Sequence, residues 1–125
     1  MARTVARTQI SAAEYLAWER AQETKHEFFH GEVFAMAGGS LRHNALSSRL
    51  HEALRAAFRG RGCEVFSSDQ KVGLGDRYVY SDATVVCGQV AVEAGSSGVL
   101  VNPGVIVEVL SETTEQYDRG LKWEG

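Results

Sequence analysis

Hydrophobic and polar positions follow two different periods along this chain, and the switches between them mark its elements. Residues 41–58 carry the helical period. Leu46, Leu50, Ala53, Leu54 and Ala57 fall on one face at about 100° per residue, with Arg42, Arg49, Glu52, Arg55 and Arg59 on the other. Gly60-Arg61-Gly62 supplies a C-cap. Ser11-Ala-Ala-Glu14 has the form of a capping box and starts a shorter helix that runs to about residue 22. Residues 25–30 and 32–37 read as two strands of a hairpin joined at His30-Gly31. Strands are also expected over 63–67, 70–74 and 78–87, with a turn at 73–76 and a polar loop over 89–98. A last strand at 105–110 and a helix from about residue 112 complete the order α-β-β-α-β-β-β-β-α. The pattern predicts an α/β or α+β core, a mixed central sheet flanked by helices, in one domain over residues 1–125.

One residue breaks this pattern. Five of the six positions from Val105 to Leu110 are apolar and four of these are β-branched, which reads as a strand buried on both faces. Glu108 lies inside it, where desolvating a carboxylate costs several kcal/mol, roughly what one side chain contributes to stability. A second acid, Asp82, interrupts Tyr78-Val-Tyr-Ser-Asp-Ala-Thr-Val-Val86, on the face shared by Tyr80, Thr84 and Val86. If the two strands are neighbours, both carboxylates converge on one point. Side by side they repel, and one takes up a proton unless a cation sits between them. Hard oxygen donors suit Mg²⁺ or Mn²⁺. The plainer alternatives are a solvated strand-end acid at Asp82, and an edge position or an ion pair with Arg42 or Lys71 at Glu108.

Composition narrows the picture without deciding it. The apolar fraction of 44% and the charged fraction of 23% are those of an ordinary soluble protein. No apolar run approaches the ~20 residues that span a bilayer, and the N-terminus has no signal-peptide core, so no membrane partner is expected. The net charge of −3 argues against a non-specific polyanion binder, but not against a nuclease with acidic metal ligands and a local basic face. Cys63 and Cys87 stand far apart in no metal-binding spacing, which predicts two free thiols in a reducing, cytoplasmic setting.

Further residues, in order, resemble a known family. His26-Glu-Phe-Phe-His-Gly-Glu32 matches a Tyr-Glu-x-x-x-Gly-Glu pattern, and Arg42-His43-Asn44 opens the central helix. Ser81-Asp82 stands where Pro-Asp is usual. Glu108-Val-Leu-Ser111, Thr114, Asp118 and Lys122 match a Glu-Val-x-Ser…Thr…Asp…Lys signature. From Glu14 to its end the chain is similar to the Uma-two family, assigned as endonucleases within the restriction-endonuclease-like PD-(D/E)XK superfamily. The resemblance implies a mixed sheet flanked by helices and Mg²⁺-dependent hydrolysis of phosphodiester bonds in DNA, with the protein working as a homodimer. By carry-over, Asp82 and Glu108 are metal ligands with the carbonyl of Val109 as a third. Glu27 is an outer ligand or the holder of a metal-bound water. His43 is a phosphate contact or proton carrier, although its place within about 40° of the apolar face's centre equally suits a core histidine. Ser111 is a substrate contact or simply a helix N-cap.

The chain departs from the pattern twice. Leu110 occupies the place of the lysine in the superfamily's Glu-x-Lys. Lys122 is the candidate replacement, unless it merely pairs with Asp118 at i, i+4 on a surface helix. The sequence also stops before a helix end and a strand that relatives carry, which implies a truncated product or a sheet completed by another subunit. Both departures keep a second function open: a non-catalytic nuclease-fold module for oligomerisation or nucleic-acid binding.

Overall fold

The computed structural model describes residues 4–36, 38–96 and 98–110. The expected final helix, with Ser111, Thr114, Asp118 and Lys122, lies outside the described residues. The described chain forms two compact units, one built from the chain up to Gly38 with Leu74–Val79, the other from Gly39–Gly73 with Tyr80–Val109.

In the first unit, Ser11 caps helix α1 (Ala12–Glu19). The Ser11 hydroxyl accepts from the Glu14 N–H, and Glu14 accepts from the Ser11 N–H, as the capping box requires. Strands β2 (His26–Phe29) and β3 (Glu32–Ala35) form the expected hairpin. His30 and Gly31 turn it with φ of 46° and 87°. Positive φ at both central positions gives the turn twist that matches paired strands, and glycine takes the second position without a Cβ penalty. A strand absent from the sequence reading, β1 (Thr4–Arg7), pairs antiparallel with β3 although all four of its residues are exposed. Main-chain pairing carries it, helped by the Arg7 guanidinium over the Trp18 ring at 5.9 Å, so no hydrophobic alternation announces it. The sheet order is β1-β3-β2-β6, with β6 spanning Arg77–Tyr80. Tyr15, Phe28 and Tyr78 pack as an aromatic cluster at its centre, with ring centroids 5.1 to 6.0 Å apart.

The second unit holds helix α2 (Leu41–Ala57) and an antiparallel sheet of order β4-β7-β8, where β4 is Cys63–Phe66, β7 is Ala83–Cys87 and β8 is Val105–Val107. Short β5 (Lys71–Gly73) meets residue 100 through a parallel bridge, Val72 to Leu100. Val65, Val72, Val85, Val86 and Leu100 are buried here. The ladders within each unit are antiparallel, so the α+β class holds while the mixed character expected of the sheet reduces to that bridge.

Four local expectations are corrected. Residues 78–87 are two strands, not one, because the chain leaves β6 at Ser81-Asp82 before entering β7. Short polar side chains that compete for backbone hydrogen bonds favour such a break. The strand at 105–110 is only Val105–Val107, with Val105 42% exposed and Glu108 half-buried. It lies at the margin of its sheet, with β7 as its ladder partner. Helix α2 buries no residue fully. Its half-buried positions are His43, Ser47, Leu50, His51 and Leu54, whereas Leu46, Ala53 and Ala57 are exposed. The inward face is therefore turned from the apolar stripe toward a polar one. Finally, Cys63 and Cys87 are a disulfide, not free thiols. They are directly opposed in the β4–β7 register, so strand pairing brings together two residues 24 positions apart. The argument from free thiols to a reducing, cytoplasmic setting loses its premise. Among the described residues no helix is long and apolar enough to cross a membrane.

Candidate active site

Asp82 is the node of the second unit. It is 9% exposed and sits at the entrance to β7. The β7–β8 register pairs Ala83 with Val107 and Thr84 with Ile106, so Asp82 and Glu108 are the residues that flank its last pair. The two acid-bearing strands are thus neighbours, as the sequence argument required, although both acids lie just outside the regular ladder.

Three groups grip Asp82. The Val109 N–H donates to its Oδ2 at 2.6 Å. His43 Nε2 lies 3.2 Å from its Oδ1. His51 Nε2 lies 2.8 Å from its main-chain oxygen. A carbonyl oxygen only accepts, so His51 carries its hydrogen on Nε2. His43, Ser47 and His51 recur every four residues, which lines them along one face of α2. Ser40 caps this helix by accepting the His43 N–H, fixing where the row begins. Gly39 lets the chain cross close over the ring, since a Cβ there would lie 3.0 Å from His43 Nδ1 and 2.8 Å from Asn44 Oδ1.

Several polar atoms in this unit are buried without a partner among the described residues: His43 Nδ1, Ser47 Oγ, Ser81 Oγ and Thr84 Oγ1. Each such group costs about 1–3 kcal/mol unless something satisfies it. These atoms belong to α2 and to the Ser81–Thr84 segment, the two elements that also carry His43 and Asp82. Carboxylate and main-chain carbonyl oxygens, the donor types at Asp82, Glu108 and Val109, are those that suit Mg²⁺ or Mn²⁺. No group of three or more His, Cys, Asp or Glu side chains among the described residues is arranged to hold a metal ion. Mg²⁺ is commonly held by one or two carboxylates, with waters and substrate phosphates completing its shell.

Of the remaining predicted residues, Glu27 lies in the first unit, fully buried in β2. Ser111 and Lys122 lie outside the described residues. His51 was missed, although its spacing from His43 and Ser47 was visible in the sequence. The arginines Arg42, Arg49, Arg55 and Arg59 lie exposed on α2 and just beyond it, and Arg55 donates to the Val65 carbonyl at 3.3 Å.

The chain belongs to the Uma2 family, described as "Putative restriction endonuclease", whose model matches residues 12–124. Two uncharacterized proteins of Synechocystis sp. are similar to it. One is 38% identical over 117 residues, covering 92% of this chain and 60% of the relative. The other is 34% identical over 122 residues, covering 95% and 69%. The fold matches a crystal structure from Anabaena variabilis, titled a putative nuclease belonging to DUF820, with a TM-score of 0.72 at 18% identity. That match covers 88% of this chain and 64% of the other. The chain therefore spans less than two thirds of the first relative and of the solved neighbour.

Proposed function

We propose that the protein is a metal-dependent endonuclease that hydrolyses phosphodiester bonds in DNA. The observation that supports this most is the Val109 N–H on Asp82 Oδ2, which brings the segment just after β8, with Glu108 in it, to Asp82 at the entrance to β7, where several buried polar groups have no partner among the described residues. Asp82 and Glu108 hold Mg²⁺ or Mn²⁺ with the Val109 carbonyl. When bound, the metal polarises the scissile phosphate and lowers the pKa of an attacking water. The chain's own groups do the positioning. His43 holds one oxygen of Asp82 and the Val109 N–H holds the other, leaving further lone pairs on both. His43 also contacts the phosphate. By family position, Ser111 contacts substrate and Lys122 supplies the cation that Leu110 does not. One such site cuts one strand, so cleavage of a duplex calls for two copies, and a homodimer is proposed as the working form.

Plasmid incubated in Mg²⁺ or Mn²⁺ is nicked by the wild type and not by Asp82→Ala. Equal nicking by both, or none by either, removes the reading.

One observation favours a second reading, a non-catalytic nuclease-fold module. Asp82 Oδ2 already accepts from the Val109 N–H and Oδ1 has the His43 ring beside it at 3.2 Å, neighbours that suit a carboxylate without a metal. Calorimetry with Mn²⁺ separates the two. Heat that disappears in Glu108→Ala supports a metal centre, and no heat in the wild type supports the module.

A further inference from the structure

We infer that His51 is a positioning residue for Asp82. Its functional consequence rests on the metal reading above; its structural content does not. His43 and His51 are eight residues apart, about 12 Å along the axis of α2, yet both reach the same aspartate. His43 meets the carboxylate and His51 meets the main-chain oxygen. One rigid helix thus holds both the side chain and the peptide of a single residue.

The need for this grip follows from where Asp82 sits. It occupies the break between β6 and β7, before the first β7–β8 pair at Ala83. Regular ladder pairing does not fix its peptide. The hydrogen bond from His51 does, at 2.8 Å. Without a donor there, the peptide after Asp82 rotates more freely, and the carboxylate swings with it. Val109 reports this movement directly, because its N–H is bonded to Asp82 Oδ2. A leucine at position 51 would suit packing alone equally well; only a side chain with a donor at the ring's far end supplies the bond.

The test compares wild type with His51→Leu, His51→Asn and His51→Gln, well below their thermal midpoints. Leucine removes the donor, asparagine keeps polarity but is too short, and glutamine carries an N–H near the place of histidine Nε2. Two quantities are read: Mn²⁺ affinity by calorimetry, and the exchange rate of the Val109 amide by nuclear magnetic resonance. The leucine and asparagine variants are expected to bind Mn²⁺ about 10-fold more weakly, as for other groups that orient metal ligands. Their Val109 amide exchanges faster, and glutamine restores both quantities. Val109 protection unchanged in the leucine and asparagine variants overturns the inference, as does a glutamine variant no better than leucine. If leucine prevents folding, asparagine carries the same comparison. A wild type that binds no Mn²⁺ overturns the metal reading instead, and Val109 exchange still decides the role of His51.

Discussion

Two of the histidine–carboxylate contacts among the described residues, the shorter one of the first unit and that of the second, use the same chemistry for different ends. In the first unit, Glu19 accepts from both the His26 N–H at 2.7 Å and its Nδ1 at 2.9 Å. Both side chains are nearly fully buried, and the His26 ring lies edge-on to Trp18. This pair ties the end of α1 to the start of β2. In the second unit, His43 meets Asp82 at 3.2 Å with the histidine side chain 23% exposed. Around it stand buried hydroxyls without a partner among the described residues. A closed, doubly bonded pair behaves as structure; the more open pair, beside these groups, is the one our proposal reads as a site.

The comparison breaks most visibly at Asp82. Asp82→Ala lowers plasmid nicking by on the order of 100-fold or more, the scale of losing a main electrostatic group at a reacting centre. Glu19→Ala leaves the rate per folded molecule unchanged. In urea denaturation the ranking reverses. Glu19→Ala strands a buried partner and costs about 3–5 kcal/mol. Asp82→Ala, in a more open setting, costs about 1–2 kcal/mol. Equal losses at the two positions would make both pairs structural.

The disulfide sharpens the contrast between the units. It closes a loop of 24 residues, so Cys63→Ser with Cys87→Ser lowers stability by roughly 2–4 kcal/mol. Hydrogen exchange is expected to quicken in β4 and β7 while β2 and β3 keep their protection. Uniform loosening of all four strands would show that the units do not respond separately. The smallest effect is local. The Ser11 N–H, then the Ser11 hydroxyl, hold the Glu14 carboxyl below its ordinary pKa. The folded value is depressed, so the linked stabilisation is present above the ordinary pKa and is lost as pH falls through the folded one. A carbon-detected titration of Ser11→Ala should show Glu14 moving up toward the ordinary range. No movement would detach the shift from the cap.

The residue pattern determined what depends on near neighbours in the chain. The capping box at Ser11, the His30-Gly31 hairpin and the extent of α2 were legible because three or four residues decide each. The order Asp82, Glu108 also stood out, since acids within β-branched runs are conspicuous. Contacts across long sequence distance were not legible. Cys63 meets Cys87 only because β4 pairs with β7 in that register. The inward face of α2 takes in His43, Ser47 and His51 as well as Leu50 and Leu54, so His51 could not be singled out before its acceptor was placed. Strand pairing and helix docking bring distant polar groups within bonding range, and the energy of those bonds then overrides the local hydrophobic stripe.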